Sequence, residues 1–264
     1  MEVSAKTVWI TGASSGIGEA LAYEFSTKKC HIILTARNEE RLQEVKEECE
    51  KKGGVCKIIP ADLTDPAVIP GLVREAVNAF GPVDIFINNA GMSQRSLAKD
   101  TPMEIDRKVM ELNFFSGIHM VKELLPGMIK NGGGHIVAIS SVVGKYGFPL
   151  RSAYSASKHA MQGFFETLNA ELFHENIKTT IVSPGRIKTN ISINAITKDG
   201  SKYGKMDKGQ AKGMDVQKAG KKIIKSIERE KKELLLGGKE AMLVYIRKFL
   251  PALYYYVART ASPT

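Results

Sequence analysis

Long apolar runs are missing from this sequence. None of about 18 residues occurs in the 264, which excludes an obvious membrane-spanning helix. Cysteine is scarce as well. Cys30, Cys49 and Cys56 all lie in the first quarter, odd in number and without Cys-x-x-Cys spacing. That excludes a disulfide framework and a zinc signature, so no metal is expected. The thiols read as buried or incidental, in a reducing, cytoplasmic compartment. Low-complexity tracts and internal repeats are absent. The amino terminus enters its first strand candidate too soon to hold a signal peptide.

What is present is ordinary for a globular chain: 43% hydrophobic and 25% charged residues. The length suits one large domain or two small ones, and no linker composition divides it. The formal net charge of +10 is unevenly placed. Between Lys198 and Lys248 there are 15 Lys+Arg and 7 Asp+Glu, so the remainder carries only +2. Such a segment favours anionic membrane surfaces, nucleic acid or phosphorylated ligands, or forms solvated helix faces. No nucleic-acid motif accompanies it, so nucleic acid is not an expected partner.

Short apolar runs alternate with helical patterns. Strands are expected at Thr7–Ile10, His31–Arg37, Cys56–Leu63, Val83–Gly91, Gly134–Ser141, Lys178–Gly185 and Glu233–Gly237. Helices are expected at Glu19–Lys28, Glu39–Lys52, Val68–Phe80, Met103–Lys130, Tyr154–Phe173 and Val216–Glu230. The strands are continuously apolar rather than alternating, as in a parallel sheet buried on both faces. Alternation with helices implies right-handed crossovers and a doubly wound α/β fold in one domain.

The first strand runs into "TGASSGIG", with Gly12, Gly16 and Gly18. Glycine costs roughly 0.5–1 kcal/mol relative to alanine inside an element, so three together suggest close approach to the backbone. A bare strand-to-helix turn is the bland alternative. In doubly wound folds ligands bind at the carboxyl ends of strands, and a helix N-terminus there favours a pyrophosphate. The spacing is not the common GxGxxG, and the Lys-Ser/Thr ending of an NTPase loop is missing, which argues against an ATPase. The second strand ends in Ala36 and Arg37 rather than in a carboxylate. An acid there would suit NAD; Arg37 suits a 2′-phosphate, and NADP(H) is favoured over NAD(H). A solvent-exposed strand-end arginine is the alternative.

Tyr154 and Lys158 are four apart in a helical pattern and share a face. A tyrosine with its ordinary pKa near ~10 is a poor acid or base at neutral pH, and a nearby ammonium lowers that value. The pair alone would also fit a surface.

The set "TGASSGIG", "NNAG", Asn113, Ser141, "YSASK" and "SPGRIKT" resembles the short-chain dehydrogenase/reductase family over roughly Thr7 to Leu236. The resemblance implies a Rossmann-type doubly wound sheet of about seven parallel strands. It makes Tyr154 the general acid in carbonyl reduction, or the base in alcohol oxidation. Lys158 would lower its pKa and bind the nicotinamide ribose. Ser141 would orient the substrate oxygen, with Ser140 facing the other side of the strand. Asn113 would interrupt its helix and hold a water that relays protons to Lys158. For the cofactor, it implies Gly12, Ser14 and Ile17 around the pyrophosphate or ribose, with Gly16 and Gly18 allowing approach. Asp62 and Leu63 would flank the adenine. Asn89, Ala90 and Gly91 would line its ribose side, and Pro184, Gly185, Ile187 and Thr189 would meet the nicotinamide end.

The resemblance further implies a substrate lid over about 186–215, in one domain spanning 1–264, and a homodimer or homotetramer. The lid's lysines leave open an acidic substrate or simply solvated charge. The extension over 239–264, "EAMLVYIRKFLPALYYYVAR" and beyond, is apolar and aromatic with basic residues and a break at Pro251. It would lie peripherally on an intracellular membrane such as the endoplasmic reticulum, Tyr254, Tyr255 and Tyr256 at headgroup depth, or pack against the substrate pocket or a partner subunit. The expected activity is NADP(H)-dependent interconversion of a carbonyl and a secondary alcohol on a small lipophilic molecule such as a steroid, retinoid or lipid ketone. A catalytically weak dinucleotide-binding scaffold or redox sensor is the alternative.

Overall fold

Val8 and Ile10 point to one side of their strand and Trp9 to the other, and all three are fully buried. This is why the runs are apolar at every position: the sheet carries helices on both faces. The computed structural model describes residues 1–260, so the last positions of the 239–264 extension lie outside the described residues. The strands are β1 (Thr7–Thr11), β2 (His31–Thr35), β3 (Val55–Ile58), β4 (Ile85–Asn88), β5 (Gly134–Ile139), β6 (Ile177–Pro184) and β7 (Glu233–Leu236). They form one seven-stranded sheet in the order β3-β2-β1-β4-β5-β6-β7, parallel at every pairing. The doubly wound single-domain fold is therefore as expected.

The helices are α1 (Gly16–Ser26), α2 (Glu39–Lys51), α3 (Ile69–Phe80), α4 (Met103–Met110), α5 (Ser116–Lys130), α6 (Ser152–Glu171), α7 (Lys208–Ala211), α8 (Val216–Glu228), α9 (Lys239–Phe249) and α10 (Pro251–Thr260). One core layer holds Val8, Ile10, Ile32 and Ile87 against Leu21, Phe25, Ile223 and Ile227 from α1 and α8. The other holds Trp9, Ile33 and Phe86 against Val73, Val121 and Phe165 from α3, α5 and α6. Trp9 and Phe86 meet edge-on at 5.6 Å, and the Trp9 indole N–H donates to the Thr35 hydroxyl at 2.9 Å. Burying each such side chain is worth about 1.5–3 kcal/mol. In α8, Lys218, Lys221, Lys222 and Lys225 are exposed while Ala219, Ile223, Ile224 and Ile227 are buried. This part of the basic excess is a solvated helix face.

The helical pattern over Met103–Lys130 is interrupted at Asn113, as the resemblance implied: a π-helical turn at Glu111–Phe115 separates α4 from α5. β2, β3 and β4 end earlier than the sequence expectation, so Arg37, Asp62 and Gly91 sit in loops. That trimming follows from the fold, since these ends face a cleft instead of a ladder partner. The tail forms two helices, broken where Pro251 cannot continue α9.

The turn after β1 is tightly constrained. Gly12 has φ of +63° and Gly16 +60°, a region that disfavours any side chain. A Cβ on Gly18 would lie 2.4 Å from the Gly12 carbonyl oxygen, which is backbone and cannot swing away. Gly18→Ala is therefore expected to destabilise the fold by about 1–3 kcal/mol. A lower denaturant midpoint in equilibrium unfolding checks this; an unchanged midpoint would show that the turn yields.

Candidate active site

In the sheet order, β1 lies between β2 and β4. Chain progression reverses there, which opens a crevice at the carboxyl edge. Thr11 ends β1 and Asn88 ends β4. Their loops are joined directly: the Asn89 side-chain amide donates to the carbonyls of Thr11 (2.8 Å) and Gly12 (3.1 Å). The Thr11 hydroxyl accepts from the N–H groups of Asn89 and Ala90, both at 3.0 Å.

A cleft of about 520 Å³ runs along this edge, within the range of small-molecule sites. At one end, α1 begins after Ser15, whose side chain makes no capping hydrogen bond. The first-turn N–H groups and the positive end of the helix dipole therefore face the glycine turn without a side-chain partner. Ser14, Gly16 and Ile17 line this end, followed by Arg37, Asp62 and Leu63. Arg37 is exposed at the mouth. Asp62 is held below its ordinary pKa: burial pushes it up, but hydrogen bonds from Thr64 and the charges of Arg37 and Lys108 outweigh this. Further along come Asn89, Ala90 and Gly91, then Pro184, Gly185, Ile187 and Thr189 at the end of β6 and beyond. Of the expected cofactor residues, Gly18 alone is not on the wall; it stands behind Gly12 and sets the turn. A glycine cradle, an uncapped helix N-terminus and a continuous cleft fit a dinucleotide.

Tyr154, Lys158, Ser140 and Ser141 line the other part of the same cleft. Tyr154 lies in the first turn of α6 and faces the cleft together with the Ser141 side chain. Ser141 follows β5, and its hydroxyl donates to the Pro184 carbonyl at 3.3 Å. Ser140 faces α6 instead: its hydroxyl donates to the Lys158 carbonyl and accepts from Gln162. The Lys158 ammonium nitrogen lies 6.0 Å from the centre of the Tyr154 ring and donates to the Ile139 carbonyl at 2.8 Å.

Asn113 is fully buried inside the π-helical turn and is not on the cleft wall. Its side-chain oxygen accepts from Met92 N–H at 2.8 Å, and its amide donates to the Met92 carbonyl and the Ser157 hydroxyl. Both amide hydrogens are thus committed to protein groups, so its side chain holds the loop after β4. A Cβ on Gly91 would come within 3.1 Å of Asn113 Oδ1 and 3.6 Å of Lys158 Nζ. The missing side chain at Gly91 lets these groups converge.

The electrostatics differ from a simple Tyr–Lys pair. Burial pushes the Lys158 ammonium down to about 7. Burial also raises Tyr154 above its ordinary value, opposed by the Ser141 side chain and by the charges of Arg95 and Arg151. Both arginines thus act on the phenol, besides the Lys158 ammonium beside its ring. They line the cleft with Asp207, and the sequence reading did not single out any of the three. No spacing signal marks them, because Arg95 and Asp207 are 112 residues apart.

The tail contributes as well. Leu243 and Glu240 of α9 line the cleft. Glu240 Oε1 accepts from Arg186 N–H (2.8 Å) and Gly238 N–H (3.0 Å). Tyr254 is buried, donates to the Gly147 carbonyl and packs beside Tyr146. Tyr254 is therefore turned into the protein, as the packing alternative had it, and not towards headgroup depth. The opposite face is open, with Phe249 and Tyr256 each 67% exposed. Among the described residues, no helix is long and apolar enough to cross a membrane.

Comparison with known proteins places this arrangement. A family model described as short chain dehydrogenase matches residues 6–200. Dehydrogenase/reductase SDR family member 7B of Mus musculus is 43% identical over 255 residues, covering 95% of this chain and 79% of that protein. Dehydrogenase/reductase SDR family protein 7-like of Drosophila melanogaster is 41% identical over 261 residues, covering 97% and 80%. Among solved structures, a short-chain dehydrogenase from Streptomyces avermitilis superposes with a TM-score of 0.80 at 28% identity, covering 97% of this chain and 96% of that one. An alcohol dehydrogenase from Thermococcus sibiricus, complexed with 5-hydroxy-NADP, has the same fold at 23% identity, with a TM-score of 0.76 and coverage of 88% and 96%. The chain belongs to the short-chain dehydrogenase family of oxidoreductases.

Proposed function

We propose that this chain is an NADP(H)-dependent oxidoreductase that interconverts a carbonyl and a secondary alcohol on a lipophilic small molecule. The observation that carries this reading is the meeting of Tyr154 and Ser141 at one end of a cleft that begins at the Gly12 turn. Bound there, the nicotinamide would supply or accept the hydride. The chain's own work is to hold the substrate oxygen and move its proton. Ser141 orients that oxygen and stabilises charge developing on it. Tyr154 gives its phenolic proton to the oxygen in reduction and takes it back in oxidation. Lys158 in its charged form favours the phenolate. Val142, Val143, Phe148 and Leu243 give the substrate end apolar walls, which supports a lipophilic substrate. The segment 186–215 closes this end as a lid.

Tyr154→Phe keeps the ring and loses only the hydroxyl. Turnover, followed by NADPH absorbance in a screen of steroids, retinoids, quinones and lipid ketones, is expected to fall by about a hundredfold or more. Cofactor binding should persist. Activity surviving in the variant would overturn the assignment of Tyr154.

Arg37 supports NADP(H), since a charge-assisted hydrogen bond to a 2′-phosphate is worth about 1.5–3 kcal/mol. NADPH is expected to raise the melting temperature more than NADH does, and Arg37→Ala to erase the difference. Equal stabilisation of the wild-type chain by both would refute the preference.

The outer face of α9 and α10 supports peripheral contact with an intracellular membrane such as the endoplasmic reticulum. Tyr245, Phe249, Leu253 and Tyr256 are exposed there, and Arg247, Lys248 and Arg259 complement anionic lipid. The full chain should co-sediment with anionic liposomes, and Phe249→Ser with Tyr256→Ser should release it. Equal sedimentation of both chains, or none by either, would remove this reading.

A further inference from the structure

Asp207 lies on the lid just before α7, yet its carboxylate is buried between two arginines from the floor of the cleft. Its Oδ2 lies 2.6 Å from Arg95 Nη2 and 3.0 Å from Arg151 Nη2. The side chains of Arg95 and Asp207 are only 4% and 8% exposed. Arg95 also donates from Nη1 to the Ser93 hydroxyl at 2.7 Å and the Gln94 carbonyl at 2.6 Å. Its guanidinium lies 6.0 Å from the ring of Tyr203, another lid residue.

The same short segment is knitted to the lid through backbone. Ile196 N–H donates to the Ser93 carbonyl at 2.8 Å, and Arg95 N–H donates to the Ile196 carbonyl at 2.9 Å. On its other side it holds the helix that carries the tyrosine. Gln94 is fully buried. Its Oε1 accepts from the N–H groups of Ala153 (2.8 Å) and Tyr154 (3.4 Å). The residue before α6, Arg151, supplies no side-chain cap of its own, so Gln94 satisfies the helix start from a distance. One continuous set of bonds thus runs from the lid through residues 93–96 to Tyr154.

Charge explains why an acid is needed at this place. Lys198, Lys202, Lys205, Lys208 and Lys212 make the lid basic, and the floor presents Arg95 and Arg151. Without Asp207, closure would bring like charges together in a water-poor site. An apolar contact would give adhesion without fixing position. A carboxylate shared between two guanidiniums adds directional, charge-assisted bonds that fix position.

We propose that Asp207 is the latch of the substrate lid: seated between Arg95 and Arg151, it holds the lid closed and fixes the first turn of α6 that carries Tyr154. Asp207 is a positioning residue, acting on the substrate only through the lid and the two arginines. The proposal rests on reading 186–215 as the lid of an oxidoreductase cleft.

Limited trypsin digestion of the full chain, with cleavage at the lid lysines followed by mass spectrometry, tests it. When opening is fast, cleavage tracks the population of the open form, and losing one partner of a buried pair shifts that population strongly; Asp207→Asn is expected to speed lid cleavage by about tenfold or more. Asp207→Glu should restore protection towards the wild-type rate. With a carbonyl substrate, Asp207→Asn should raise KM more than it lowers kcat. Should Asp207→Asn fail to fold, the double variant Arg95→Gln with Asp207→Asn removes the pair while preserving net charge, and it should show the same faster cleavage. Wild-type lid cleavage in variants that still melt cooperatively would overturn the latch. Protease protection needs no turnover. A wild-type chain inactive on every carbonyl and alcohol would defeat the proposed function and leave the protection result to stand or fall separately.

Discussion

The stitch between Thr11, Gly12, Asn89 and Ala90 is the constraint on which the rest of the site depends. Two parallel strands that diverge at their carboxyl ends would leave a floppy crevice. Here four hydrogen bonds join their loops, so the glycine turn and the loop after β4 move as one body. Gly18 packs against the same carbonyl that Asn89 binds. From this joint the wall continues through Gly91 to Lys158, with Asn113 buried behind it. One continuous cleft therefore links the turn to Tyr154.

At that far end the protein accepts an electrostatic cost. Lys158 is buried and lowered to about 7, and Tyr154 is buried and raised. Neither group would be placed this way for stability alone, because desolvating an ionisable side chain is unfavourable. Strongly shifted groups facing each other in a cleft are a mark of a functional site. Arg95 and Arg151 add positive potential beside the phenol, and Asp207 offsets part of it. The segment after β6 thus contributes charge to this end of the cleft.

The sequence made the fold legible because its strands are apolar on both sides and its helices carry one apolar stripe. The strands over Thr7–Ile10 and Val83–Gly91 were readable for that reason. Gly12, Gly16 and Gly18 were readable because glycines behind an apolar run have few structural uses. The apolar period over Met103–Lys130 does not show the π-helical turn, since a single extra residue leaves it nearly intact; the resemblance marked the interruption at Asn113. Arg95 was invisible: its neighbours, Gln94 and Ser96, carry no spacing signal, and its partner comes from the far half of the chain. The tail's aromatic residues suggested both a membrane and a pocket. Folding divides them, with Tyr254 inward and Phe249 and Tyr256 outward.

By itself, the sequence determined the parallel sheet, the backbone-lined turn after β1 and the family to which the Ser141, Tyr154 and Lys158 pattern belongs. The first two are local or periodic properties, set by hydrophobic period and glycine conformation; the family rests on the resemblance of several short motifs in order along the chain. Only the tertiary structure decided which charges surround Tyr154, what the Asn113 side chain holds and which face of the tail lies against the cleft. Those depend on pairings between distant segments, where burial sets the strength of each charge and the partner is chosen by packing rather than by chain order.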